Sequence, residues 1–243
     1  MIHKARERQL SYGRPIGIIA LEEHIPCPPG TPGNPSTFSF PVCYEIARGA
    51  SAAGLRRAPP EGLESFIAAG RRLVDRGAWA IAGNCGLMLV HQEALARALG
   101  VPVLLSSLLQ VPLISRMLGP GQAIGVLMSN AKSLGDTHLA LARAGTDARI
   151  VLASMQDRPF FTAAVCEERG ELDFEGVTAE VVAVVRELIR AHPEVKALLF
   201  ECVDLPPYAH AVQEAVELPV FDITTLICHF HAALVRRPFT GPY

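Results

Sequence analysis

Two cysteines occupy matching places in two similar stretches of this chain, and thiols so placed can exchange protons with a carbon acid. Cys85 lies within Trp79 to Val103, WAIAGNCGLMLVHQEALARALGVPV, which reads as apolar strand, polar turn, amphipathic helix and a strand opened by proline. Cys202 lies within Val195 to Val220, VKALLFECVDLPPYAHAVQEAVELPV, with the same order of features. The spacing agrees as well: 117 positions separate Cys85 from Cys202 and also Pro102 from Pro219. A proton on a carbon beside a carboxylate is most simply removed and returned on opposite faces by one base and one acid. A thiol can play either part, because helix N-terminal amides or cations stabilise the thiolate while a second thiol stays protonated. Helices are predicted to begin at Leu87 and Pro206, so the backbone N–H groups of Gly86 and Val203 are placed to support a thiolate or a substrate carboxylate.

The remaining elements must bring these two strand ends together. Ile16 to Leu21, IGIIAL, is a continuous apolar run suited to a strand covered on both faces. The proline-rich stretch EEHIPCPPGTPGNPSTFSFP that follows can be neither helix nor central strand, and its length suggests a lid at a strand's carboxyl end. Val42 to Arg48 reads as a short edge strand, and Glu61 to Arg76 has the apolar spacing of a helix. Ser106 to Leu118 reads as a helix capped by serine. Gln122 to Met128 restarts the pattern, with Ser129 and Asn130 as caps of a helix reaching about Ala144. Arg149 to Ala153 is a predicted strand, Pro159 to Glu167 a helix, Asp173 to Ala191 a long amphipathic helix, and the run after Phe221 a closing helix. Alternating strands and helices imply an α/β fold with mainly parallel sheets in two similar doubly wound subdomains. We place the first at residues 1–108, with 222–243 able to complete it, and the second at 109–221. Ligands of such sheets bind beyond the carboxyl ends of the strands, where both cysteines fall.

Composition narrows the chemistry further. A chain of 243 residues buries roughly 70–75% of its unfolded surface, so a full core is feasible. Apolar runs are broken well short of the ~20 residues a membrane helix needs. The basic first residues, MIHKARERQLSYGR, lead into no signal-like segment and read as a loose arm, so a cytoplasmic protein is expected. A net charge of −2, with its charges scattered, argues against a nucleic-acid or membrane surface and for a small-molecule partner. The six cysteines show no metal-knuckle or C-x-x-C spacing; reduced thiols are expected, with Cys27, Cys43, Cys166 and Cys228 as small hydrophobes. His229 and His231, two apart on a helix, point to different faces, so no metal is expected. The lysines, Lys4, Lys132 and Lys196, sit in no setting for a Schiff base, and no nucleotide-binding glycine motif is present. A Cys–His hydrolase lacks a nucleophile elbow.

The motifs GNCG at 83–86, SSLLQVPL at 106–113, IGVL at 124–127, FECVDLPPYA at 200–209 and PPGTPGN at 28–34 resemble the aspartate/glutamate racemase superfamily, especially a branch with a PPG-x-x-GN loop. The resemblance spans nearly the whole chain. It implies two flavodoxin-like subdomains related by a pseudo-twofold axis, no cofactor, a homodimer, and Cys85 and Cys202 as an acid/base pair. It further implies a small carboxylate substrate bound by Glu22, Asn34, Asn84, Gly86, Ser106, Ser129, Asn130, Val203 and Asp204. Glu22, Glu23 or His24 would tune Cys85, with solvated loop charge the plain alternative; Asp204 and Tyr208 would orient a substrate ammonium or polar tail; and helix capping is the plain alternative for Asp204, Tyr208, Ser106, Ser107, Ser129 and Asn130. Leu-Glu-Glu-His, Cys-Gly-Leu and Cys-Val-Asp stand where glutamate racemases have D-S-G-x-G, C-N-T and C-T-H. Hydantoins, arylmalonates and maleate therefore stand beside α-amino acids as substrates. The expected activity is a cofactor-independent racemase or epimerase; the alternatives are a single-cysteine isomerase or decarboxylase and a non-catalytic binding protein.

Overall fold

The computed structural model describes residues 7, 9, 12, 13, 15–57, 60–130 and 134–242, so the arm read at 1–14 lies largely outside the described residues. Chain order begins β1 (Ile16–Ala20), β2 (Val42–Ile46), α1 (Ala52–Leu55), α2 (Leu63–Asp75), β3 (Ala80–Gly83), α3 (Gln92–Leu99), β4 (Val103–Leu104) and α4 (Val111–Met117). The pattern then repeats as β5 (Ala123–Met128), α5 (Asp136–Ala142), β6 (Ile150–Ser154), α6 (Pro159–Phe161), α7 (Phe174–Ala191), β7 (Val195–Phe200), α8 (Ala209–Val216) and β8 (Val220–Phe221), with α9 (Ile223–Leu234) last. Two four-stranded sheets result, ordered β2-β1-β3-β4 and β6-β5-β7-β8, and every pairing is parallel. The central strands are buried on both faces, which is why IGIIA and AIGVLM lack polar alternation.

Each first strand carries a glycine where a helix presses on the sheet. A Cβ at Gly17 would stand 2.8 Å from Ile81 Cδ1 and 3.0 Å from Leu73 Cβ of α2. At Gly125 it would stand 2.8 Å from Leu188 Cδ2 of α7 and 3.0 Å from Leu198 Cδ2. Gly125→Val is therefore expected to destabilise the protein by about 1–3 kcal/mol through overpacking, read as a lower urea midpoint at unchanged slope.

Helix α9 follows the second sheet in sequence yet packs Ile223, Leu226 and Ile227 against Ile16, Ile18, Ala80, Ala82 and Leu104 of the first. Its start is held by Asp222, whose Oδ1 accepts the Thr225 N–H at 2.7 Å, while Gln110 Nε2 donates to the Asp222 carbonyl at 2.8 Å. Ser107 Oγ donates to the Phe200 carbonyl at 2.8 Å, tying the end of β7 to the first half. No described helix is long and apolar enough to cross a membrane.

The proline-rich loop is folded in its own right. Thr37 Oγ1 donates to the Thr31 carbonyl at 2.6 Å and accepts the Gly30 N–H at 2.8 Å. Tyr44 Oη donates to the Pro32 carbonyl at 3.0 Å. Gly30 adopts φ +110 against Pro207, whose Cα would lie 2.8 Å from a Cβ there, so only glycine fits both the turn and the approach. The Phe40 ring stacks on His231 of α9 with centroids 3.6 Å apart, and the His24 N–H donates to Glu168 Oε2 at 2.9 Å. The loop thus reaches from the first sheet onto the second half.

Two predicted features differ. The helix after β5 begins at Asp136 with Gly135 as its N-cap, so Ser129 and Asn130 do not cap it. The helix predicted over 159–167 is α6 followed by a π turn over Thr162–Cys166, in which the Thr162 hydroxyl is buried without a partner.

Candidate active site

In each sheet the chain crosses to opposite sides after its first strand, and the crevice between the first strand and its inner neighbour is the place where such folds bind ligands. The ends of β1 and β3 carry Glu23, Asn84, Cys85 and Gly86; those of β5 and β7 carry Ser129, Asn130, Glu201, Cys202, Val203 and Asp204. All of them line one cavity of about 430 Å³. Ile25, Ala52, Arg56, Leu87, Val165, Cys166 and Glu168 complete its wall. Both halves of the chain therefore contribute, with a thiol from each.

Three of the residues expected at the site lie outside this wall. Glu22 is exposed and accepts the Gly49 N–H at 3.4 Å. Asn34 is occupied inside its loop, accepting the Ser36 N–H and donating to the Cys27 carbonyl, each at 2.8 Å. Ser106 is buried and its Oγ accepts the Leu108 N–H at 3.3 Å, a capping role. Tyr208 is buried and packs against the Phe174 ring.

The electrostatics are dominated by carboxylates. Glu201 is 3% exposed, and burial, then Asp204, push its pKa up to about 7, with Arg56 opposing. Burial likewise raises Asp204 to about 6, an effect limited by its bond to Cys202. Glu23, at the rim, is pushed up to about 8 by desolvation of its carboxyl, then by Asp204 and Glu168. Both thiols are held protonated. Burial raises Cys85, with Glu23 and Glu201 adding to it and the Leu87 backbone N–H easing it. Cys202 is raised by burial, Asp204 and Glu201, while the Asp204 backbone N–H opposes. The amides that favour the thiolates thus belong to Leu87 and Asp204, one residue beyond Gly86 and Val203. Cys202 Sγ donates to Asp204 Oδ2 at 3.4 Å, giving that thiol a ready proton acceptor.

Three wall residues carry little signal in the sequence. Arg56 follows the four-residue helix α1, and Cys166 ends the π turn. Glu168 sits in the left-handed region at φ 50, which nothing in GLU-GLU-ARG-GLY spacing announces. Glu201 was accessible: a carboxylate ending an apolar strand beside a candidate nucleophile is conspicuous. Among the described residues, no group of three or more His, Cys, Asp or Glu could hold a metal ion, and all six cysteines are free.

The fold matches known structures over most of its length. A glycine-to-cysteine variant of arylmalonate decarboxylase, in its sulfate-associated form, superposes with a TM-score of 0.62 at 18% identity, over 94% of this chain and 97% of that one. An aspartate racemase homologue from Pyrococcus horikoshii gives 0.57 at 17% identity, over 91% and 99%. This chain shares their α/β architecture of two all-parallel four-stranded sheets. In sequence, the chain is 31% identical over 233 residues to a dimethylsulfoniopropionate lyase of Durusdinium sp. clade D, covering 93% of this chain and 77% of the relative. It belongs to the same family as that lyase. No family model matches.

Proposed function

We propose that this chain cleaves dimethylsulfoniopropionate, or a closely similar onium carboxylate, by removing a proton from the carbon beside the carboxylate. The observation that carries this reading is the composition of the cavity: three thiols, four carboxylates and Arg56. Such a wall suits a zwitterion whose positive end meets carboxylates and whose negative end meets a guanidinium. The relative named a lyase of that compound supports the choice of substrate.

Cys202 is the base in this proposal. Its thiol proton passes to Asp204, and the bound cation favours the resulting thiolate. The thiolate takes the proton from the α-carbon, the C–H electron pair forms the C=C bond of acrylate, and the C–S bond breaks with its pair on sulfur. Neutral dimethyl sulfide departs and the proton returns to solvent. The step is redox-neutral and needs no electron acceptor.

A racemase or epimerase using both thiols is the second reading, favoured by the presence of Cys85 and Cys202 on the wall of one cavity. One experiment separates the two: incubation in deuterated water with dimethylsulfoniopropionate, and separately with amino acids, hydantoins and substituted malonates, followed by proton NMR. Acrylate and dimethyl sulfide are expected from the first substrate. Deuterium entering the α-carbon of a chiral carboxylate, without any elimination, would replace the lyase reading by the racemase.

A further inference from the structure

Among the carboxylates of the cavity, Glu201 is set apart by how it is seated. Asp204 receives the Cys202 thiol and Glu168 receives the His24 N–H, whereas Glu23 stands at the exposed rim. Glu201 is 3% exposed at the end of β7, and among the described residues its carboxylate has no hydrogen-bond partner. A carboxylate so seated on a cavity wall is desolvated by the fold and favours a cationic partner there.

The opposing surface is shaped for this side chain. A Cβ at Gly86 would lie 2.8 Å from the Glu201 carboxyl carbon and 2.5 Å from its backbone oxygen. Gly86 is not in the left-handed region, so its lack of a side chain answers to this approach and not to backbone conformation. The seat therefore joins the residue after Cys85 to the residue before Cys202. The wall of the same cavity also carries alkyl side chains, from Ile25, Ala52, Leu87, Val165 and Val203.

We infer that Glu201 is the counterion of a permanently charged, alkylated onium group, and that it makes the cavity select onium carboxylates over neutral or primary-ammonium analogues of similar shape. The inference rests on reading the cavity as the place where such a carboxylate is cleaved. A primary ammonium carries three N–H donors that must each exchange water for an acceptor, a cost that a permanently alkylated onium does not carry. Methyl groups on sulfonium or quaternary nitrogen pack against those alkyl side chains and carry a diffuse charge toward the carboxylate.

The test is calorimetric binding of 3-(trimethylammonio)propionate, β-alanine and 4,4-dimethylpentanoate, a carboxylate whose tert-butyl end is neutral, to the full chain, alongside KM and kcat for dimethylsulfoniopropionate. Wild type is expected to prefer the quaternary ligand. Glu201→Gln, which keeps the shape, is expected to weaken it by about 10- to 100-fold, the range for losing a charge-assisted contact, while leaving the tert-butyl ligand unchanged or tighter. KM should rise more than kcat falls. Gly86→Ala, which pushes the carboxylate from its seat, should give the same selective loss. Equal losses for the quaternary and tert-butyl ligands, or no preference in wild type, overturn the inference. Selective loss of quaternary binding supports it even where no dimethyl sulfide forms. Conversely, cleavage at an unchanged KM in Glu201→Gln removes this role and leaves the proposed activity standing.

Discussion

Cys202→Ala is expected to slow dimethyl sulfide release by about 10²- to 10⁴-fold, the contribution of a positioned proton acceptor, with little change in thermal stability. Headspace gas chromatography of the enzyme with dimethylsulfoniopropionate measures it. The choice of Cys202 over Cys85 follows from their surroundings. Both thiols are pushed up by burial and by carboxylates, so neither is a base in the free enzyme. Activation needs somewhere for the proton to go. Cys202 has Asp204 Oδ2 at 3.4 Å, and the Asp204 pKa of about 6 leaves that carboxylate mostly ionised at neutral pH. Among the described residues, no carboxylate accepts a hydrogen bond from Cys85 Sγ. Cys85→Ala should therefore cost less, about 10-fold, through lost shape and polarity at the far wall. Asp204→Asn should cost most of what Cys202→Ala does, since an amide is a poor proton acceptor. Equal, large losses for the two cysteine variants would instead describe thiols working as a pair.

The architecture was legible because the central strands are continuous apolar runs closed by polar turns, and because the second half repeats the first. The cysteine pair was legible for the same reason: one thiol at a strand end means little, while two at matching positions define a place. Legibility failed where local preference and tertiary need diverge. Ser129 and Asn130 are good N-cap residues, so they read as the start of a helix, yet the helix waits for Asp136 and the pair forms cavity wall instead. Ser106 and Asn34 show the reverse: polar side chains at suggestive positions whose hydrogen bonds are spent on local turns. Arg56 could not be read because a four-residue helix has no periodicity to announce it. Cys166 reaches the wall through a π turn, and a single extra residue per turn leaves no mark in apolar spacing. What the linear pattern missed most was charge. Glu23 and Glu168 lie far in the chain from Glu201 and Asp204, and only the fold brings the four carboxylates to one wall.

That convergence makes the reaction steeply dependent on pH. With Glu201 at about 7 and Asp204 at about 6, both must lose protons before the site can hold a cation and accept the thiol proton of Cys202. kcat/KM, which reports groups of the free enzyme, is expected to fall by roughly three orders of magnitude from pH 8 to pH 5, with one proton added near pH 7 and a second near pH 6. Glu23 contributes less, because water at the rim screens it. Cys85, Cys166 and Cys202 titrate above this window because burial raises all three. A bound cation draws the carboxylates back toward their ordinary values, so kcat at saturating substrate should be much flatter than kcat/KM. Stability runs the other way. A carboxyl whose pKa is raised by folding favours the native state below its unfolded value, and that stability is lost as pH rises through the folded one. The ligand-free protein should therefore melt higher at pH 5 than at pH 8, and 3-(trimethylammonio)propionate should raise the melting temperature more at pH 8. Glu201→Gln should remove the step near pH 7 from both profiles; a wild-type kcat/KM flat between pH 5 and 8 would show that neither carboxylate acts in its ionised form.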